Sequence, residues 1–253
     1  MLTLFALVVM RMSGAIALNP MFARTNFPAR ARACLIVALS LLLYQMTEQS
    51  MVRTPRSMTE FVVMLFGELL LGVTLAFAME LAFMVVRYAA AVMDYCMGLS
   101  MAQIYDPQFG TQATVNSGLY YAFMALVFFA TDGHLRLISI FYESARVVPF
   151  GGVRLDPAVM TVMTDAFVQA VVMGLQFALP LIAMELLAEA AMGILMRVVP
   201  QINVFTVNFQ VKIVFGLCIM LLLFTPMADR MNTIFDRMYE TMRQLLPLLG
   251  NAG

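Results

Sequence analysis

The stretch Ala188-Glu-Ala-Ala-Met-Gly-Ile-Leu-Met-Arg-Val-Val-Pro200-Gln-Ile-Asn-Val-Phe-Thr-Val-Asn-Phe-Gln-Val-Lys-Ile213 decides how the chain is read. It opens with helix formers and then meets Pro200, which has no N–H to donate and drives Val199 out of the α region. A helix is therefore predicted to stop there. Gln201 and Asn203 follow among Ile, Val and Phe, so two amide side chains enter apolar surroundings. An amide in such a place needs partners, because a buried polar group left unpaired costs about 1–3 kcal/mol. Pro200, Gln201, Asn203, Phe205 and Lys212 are thus candidates for a helix break that packs against another surface. A polar connector between two membrane helices is the plainer reading of the same residues.

Working outward, the composition is that of a membrane-class or partner-buried protein: 62% hydrophobic and 12% charged over 253 residues, against roughly 45–50% and 25% in soluble domains. Formal net charge is zero, and no basic stripe with interleaved aromatics appears, which excludes nucleic-acid binding. The positive charge is fourteen Arg and one Lys, Lys212; the planar guanidinium tolerates partial burial better than a hydrated ammonium. Met occurs 25 times, a flexible filler for adaptable packing or a substitute for Leu on lipid-facing helices. Cys34, Cys96 and Cys218 lie far apart in apolar runs and read as small buried hydrophobes. Arg11 interrupts the first apolar run and no basic segment precedes it, so Leu2 to Leu18 is taken as a retained first helix.

The apolar segments are predicted at Leu2 to Leu18, Cys34 to Met46, Phe61 to Val86, Tyr88 to Ala102, Thr111 to Ala130, Asp156 to Val199 and Lys212 to Pro226, with an amphipathic piece from Thr131 to Arg146. Asp156-Pro157 is a strong helix start, with proline at the first helical position. A spanning helix needs about 20 predominantly apolar residues. Most charge-free runs are shorter, and only Ala166 to Met184 clears the usual threshold of about 18. Arg also sits on both sides of successive segments, so the positive-inside rule gives no orientation. Either the segments are short and tilted, or many are buried against other chains.

Charges at apparent membrane depth sharpen the question. Glu68 and Glu80 lie twelve apart on one apolar segment, while Glu185, Glu189 and Arg197 form a stripe at spacings of four and eight. Salt bridges that fix helix register are the structural reading of these buried charges; a proton relay is the functional one. After Pro226, Met227, Met231, Ile234, Met238, Met242 and Leu245 recur at helical steps with charges elsewhere, an amphipathic helix. Its charges nearly cancel, which favours a protein partner over anionic lipid.

No catalytic constellation is visible. His134 is the only histidine and reads as a turn residue after Asp132-Gly133. There is no nucleophile elbow, phosphate-cradling loop, dinucleotide fingerprint or metal-ligand cluster, so neither cofactor nor enzymatic activity is expected.

Arg11, Pro20, Pro28 and Arg32, then Glu68-x-x-x-Gly72, Gly98 before Asp106-Pro107, Gly133-His134, Ser144 before Pro149, Ala178-Leu-Pro180, and Arg197-x-x-Pro200-Gln201-x-Asn203-Val-Phe205 with Lys212-Ile213 and Gly216 together resemble the FliR/SctT family of type III secretion export-gate proteins. The resemblance covers essentially the whole chain, in order. One position departs, Gln210, where the family more often has proline. The resemblance implies an all-α membrane-type protein with kinked helical hairpins, like a FliP-like part fused to a FliQ-like part, built with FliP and FliQ into a helical pore complex. It implies a FliP-like part over 1–165, a FliQ-like hairpin over 166–226 and an amphipathic C-terminal helix and tail over 227–253. It further implies a location in the bacterial inner membrane at the flagellar basal body, FlhB-like and FlhA-like partners, and unfolded protein substrates.

A plug-like loop is implied near 103–112. There Asp106-Pro107 and Gly110 supply a bend and flexibility, while Met101, Ile104, Tyr105 and Phe109 supply bulk. An apolar constriction of this kind seals by packing and dewetting. An injectisome subunit is the nearest alternative, and a proton-coupled small-solute transporter built on Glu68, Glu80, Glu185 and Glu189 is the rival from another class. A transporter would favour inverted repeats, and none is visible.

Overall fold

The computed structural model describes residues 2–22, 28–46, 54–99, 104–106, 111–113, 115–154, 156–198 and 204–250. Helix α1 (Leu2–Ala17) ends one residue before Leu18-Asn19-Pro20. There the Asn19 side-chain oxygen accepts from the Met21 amide at 3.0 Å, a local turn that competes with further helix. Helix α2 (Ala29–Met46) follows Pro28. Helix α3 (Met58–Cys96) starts on Ser57-Met-Thr-Glu60: the Ser57 hydroxyl accepts from the Glu60 amide at 3.2 Å, and the Glu60 carboxylate reaches back to the Arg56 amide at 2.8 Å. This is a capping-box arrangement, shifted by one residue on the return bond. Gly98 follows α3 at φ +78°, the left-handed conformation that ends helices.

Two short strands, β1 (Ile104–Asp106) and β2 (Thr111–Ala113), pair antiparallel with Tyr105 opposite Gln112. Helices α4 (Val115–Ala130) and α5 (Gly133–Val147) meet at a 70° bend. Asp132 occupies the left-handed region at φ 56°, and a side chain on Gly133 would have a Phe128 ring carbon within 2.5 Å. Helix α6 (Ala158–Val198) begins as predicted, with the Asp156 carboxylate accepting from the Ala158 amide at 2.8 Å. It stops just before Val199-Pro200. Helix α7 (Val204–Leu249) completes the chain.

The fold is all-α apart from this hairpin. Three of its helices are longer than the charge-free runs suggested. Helices α3, α6 and α7 have 39, 41 and 46 residues, and α3 passes without interruption through Glu68, Glu80, Arg87 and Asp94. A charge interrupts an apolar pattern but not the backbone ladder, provided its side chain has a place to go; Glu68 and Asp94 are fully buried on protein partners. Pro180 lies inside α6, and α7 runs through Pro226, so the predicted division between an apolar segment and a separate amphipathic helix is corrected to one continuous helix. The expected part boundaries at 165/166 and 226/227 both fall inside helices. Among the described residues, four helices are long and apolar enough to cross a membrane, or up to five if the bent α4–α5 pair counts as one span.

The chain divides into two compact units. The first comprises Met1–Ala82, Phe128–Val168 and Phe235–Gly253, and the second Phe83–Val127 and Gln169–Ile234. In the first, Leu7, Met12 and Ile16 of α1 share a core with Leu71, Leu75 and Met79 of α3. Its α2 buries only Ser40 and Leu43, so nearly all of that apolar helix faces outward. In the second, Phe83, Met93, Tyr120, Met124 and Leu181 form the core, with the Tyr120 ring edge-on to Phe177 at 5.9 Å. Methionine fills both interiors, as its shape adaptability allows. Cys34 and Cys218 are exposed and Cys96 is half-buried, which corrects the expectation of three buried thiols: the first two lie on outward apolar faces.

Candidate functional site

In the first unit the site is built around Arg11, which has no solvent exposure. Its Nε donates to Glu68 Oε2 at 2.6 Å. Nη1 donates to the Ser144 carbonyl and Nη2 to the Val148 carbonyl, both at 2.9 Å. These carbonyls belong to the end of α5, which carries partial negative charge; the Ser144 carbonyl also accepts from the Val148 amide at 3.0 Å. A guanidinium fits because its fork can reach a carboxylate and two carbonyls at once. The Phe150 ring covers it at 4.3 Å, and Glu68 uses its other oxygen to accept from the Gly151 amide at 2.8 Å. One guanidinium thus ties α1, α3, the end of α5 and the following loop together.

One turn along each helix, the backbones touch. A Cβ on Gly14 would lie 2.5 Å from the Leu69 carbonyl oxygen, and one on Gly72 would overlap the Arg11 carbonyl oxygen. Glycine is required by this approach, as in close helix crossings of membrane proteins. The pattern Arg11-x-x-Gly14 opposite Glu68-x-x-x-Gly72 was present in the sequence; the partner of Glu68 was the missing piece.

In the second unit, Asp94 accepts from the Asn116 backbone amide at 2.9 Å and from its side-chain Nδ2, fastening the start of α4 to α3. The Tyr120 hydroxyl donates to Met227 Sδ at 2.9 Å. Lys212 Nζ lies 3.3 Å from Glu189 Oε1. Glu185, one turn before Glu189, is 2% exposed, and neither carboxylate oxygen has a hydrogen-bond partner.

The predicted site residues therefore separate. Glu68 and Glu185 are buried, Glu80 is half-buried, and Glu189 and Arg197 are exposed on the isolated chain. Ile104, Tyr105 and Asp106 form strand β1, whereas Met101, Pro107, Phe109 and Gly110 lie outside the described residues. So do Pro200, Gln201 and Asn203. Phe205 falls in the first turn of α7, and Lys212 and Gln210 lie two turns in. The helix continues through Gln210, whose amide N–H a proline would lack. Arg11, Ser144, Phe150 and Asn116 are the structural contributors that residue-level reading missed. Among the described residues, no group of three or more His, Cys, Asp and Glu is placed to hold a metal.

Long apolar helices, fastened internally by fully buried ionic and amide links, define a multi-helix membrane protein. Residues 2–238 match the family described as "Bacterial export proteins, family 1", and the chain belongs to that family. It is 30% identical to the flagellar biosynthetic protein FliR of Escherichia coli K12, over 72% of this chain and 71% of that protein. Against the flagellar biosynthetic protein FliR of Bacillus subtilis 168 it is 27% identical over 97% of this chain and 95% of the relative. The secretion system apparatus protein SsaT of Salmonella typhimurium LT2 is 25% identical over 72% of this chain and 70% of that protein.

Proposed function

We propose that this chain is a subunit of the export gate of a flagellar type III secretion system, seated in the bacterial inner membrane at the base of the flagellum. The observation that carries the reading is family membership along residues 2–238, joined to four long apolar helices. FliP-like and FliQ-like subunits complete the channel with it, and FlhB-like and FlhA-like export proteins deliver unfolded flagellar proteins to it. The part over 1–165 corresponds to a FliP-like subunit and that over 166–226 to a FliQ-like hairpin, whose second helix α7 continues without a break to Leu249. The chain carries out no covalent chemistry; energy comes from an ATPase and the proton-motive force acting on its partners.

Outward-facing apolar residues support burial against lipid or other subunits: Leu186, Leu187 and Ile194 on α6 and Leu221 and Leu222 on α7 are each at least 60% exposed on the isolated chain. Large apolar side chains exposed in this number mark an interaction face. The loop around 103–112 contributes to the plug, its β1–β2 pairing giving the segment a defined base. An injectisome subunit is the second reading, favoured by the similarity to SsaT.

The test is co-purification from detergent of the tagged chain expressed with its neighbouring genes. FliP-like and FliQ-like proteins are expected in a stable complex; a folded chain that purifies alone overturns the reading. Deleting residues 103–112 is expected to make the membrane leaky while the complex still assembles, and unchanged leakiness and secretion would remove the plug role.

A further inference from the structure

Helix α2 is an apolar span that the first unit scarcely covers: only Ser40 and Leu43 are buried. One side of it faces a groove with a volume of about 260 Å³, walled by Met12 of α1, Leu39, Leu43 and Met46 of α2, and Ile138 and Phe141 of α5. All of these residues belong to the first unit. Leu42 and Met46 also line the groove and are 43% and 53% exposed, so it opens outward. It is too small for a helix, whose diameter with side chains is about 10–12 Å. An unbranched hydrocarbon chain suits it.

The same side of α2 carries a cation. Arg32, Leu39, Leu43 and Met46 follow one another at steps of seven, four and three, which aligns them along one helical face. Arg32 is half-buried, its Nε has no hydrogen-bond partner, and its guanidinium has no ion pair among the described residues. A guanidinium in that state is suited to a phosphate, which it can hold through two parallel N–H donors. Leu39 stands seven residues beyond Arg32, about 10 Å at 1.5 Å per residue, and the hydrocarbon of one leaflet is about 15 Å deep. With Arg32 at headgroup level, the groove therefore lies at the depth of acyl chains. Arg30 adds a second positive charge at this end, on another face, and α2 contains no acidic residue to offset either. The surplus charge favours an anionic headgroup over a zwitterionic one.

We propose that the groove between α1, α2 and α5 binds one acyl chain of an anionic phospholipid whose phosphate is held by Arg32. The lipid fills the space that α2 leaves open and supplies the counter-charge that the protein does not. Its binding requires the bilayer setting and none of the subunit contacts proposed above.

The test is photolabelling of the tagged chain, expressed with its neighbouring genes and reconstituted in phosphatidylcholine vesicles, by phosphatidylglycerol carrying a diazirine in mid-chain. Peptide mass spectrometry is expected to find the label on both walls of the groove, within 39–46 of α2 and 135–142 of α5. Label on α2 alone, as bulk lipid would give, overturns the proposal. So does absence of label, which means that a neighbouring subunit covers the groove. Unlabelled phosphatidylglycerol is expected to suppress the label about fivefold more effectively than the same amount of phosphatidylcholine, the effect of one arginine on an anionic lipid. Equal suppression by the two lipids, or full suppression by inorganic phosphate, overturns the proposal. Arg32→Gln is expected to remove the preference and Arg30→Gln to leave most of it; equal losses would mean diffuse attraction to the membrane surface and overturn the site. Should Arg32→Gln fail to accumulate, the competition on the wild-type chain decides the matter alone.

Discussion

Arg11 in the first unit and Glu185 in the second are both withdrawn from water, yet they are treated in opposite ways. Arg11 meets a carboxylate, two helix-end carbonyls and an aromatic face, and Glu68 divides its oxygens between the guanidinium and a loop amide. Glu185 is buried with no hydrogen-bond partner on either carboxylate oxygen. A charge is retained in a low-dielectric interior only where such a full set of partners is assembled. Burial alone does not define a role: the first charge is a fastener, while the second takes no part in the hydrogen bonds that hold its unit together.

The largest expected effect comes from breaking the fastener. Glu68→Gln leaves the Arg11 cation buried without a counter-charge, which should destabilise the chain by about 3–5 kcal/mol; thermal unfolding of the purified complex would show it. Glu185→Gln, measured in the same way, should leave stability nearly unchanged, and equal losses in the two variants would erase the contrast.

A smaller effect is expected at the crossing of α1 and α3. Gly72→Ala sets a methyl group against the Arg11 backbone, which cannot swing aside, at a cost of about 1–3 kcal/mol. Gly193→Ala is its control, because nothing lies within 4 Å of the new atom. There the helix gains up to about 1 kcal/mol in propensity, read as a raised midpoint in the purified complex.

The smallest effect belongs to the exposed pair Arg136–Asp236, 3.1 Å apart with side chains 59% and 68% exposed. Arg136→Ala should shift stability by no more than about 1 kcal/mol. A larger loss by thermal unfolding would mean that surface pairs carry the first unit as much as the buried one does.

Much of this was legible in the residues. The stop of α1 before Asn19-Pro20, the start of α6 at Asp156-Pro157 and its end before Pro200 each follow from a local rule about N–H groups, caps and φ. Helix lengths were less legible, because Glu68 and Asp94 break an apolar pattern in one dimension without breaking a helix in three. Pro226 misled for a similar reason: it is a stop signal by local chemistry, and the long α7 helix absorbs it. Glu189 and Arg197 share a helical stripe with Glu185, but a stripe specifies only angular position, and the neighbouring helices decide which part of it is covered.

Membrane class, family and most helix boundaries are written in the order of the residues, because hydropathy, capping and proline chemistry act within a few positions. Which charges are satisfied was decided by the tertiary structure alone. Arg11 and Glu68 stand 57 positions apart, and Arg11 and Val148 stand 137 apart. No local rule joins residues so distant; helix packing at Gly14 and Gly72 brings them within a hydrogen bond, whereas Glu185 is buried without one.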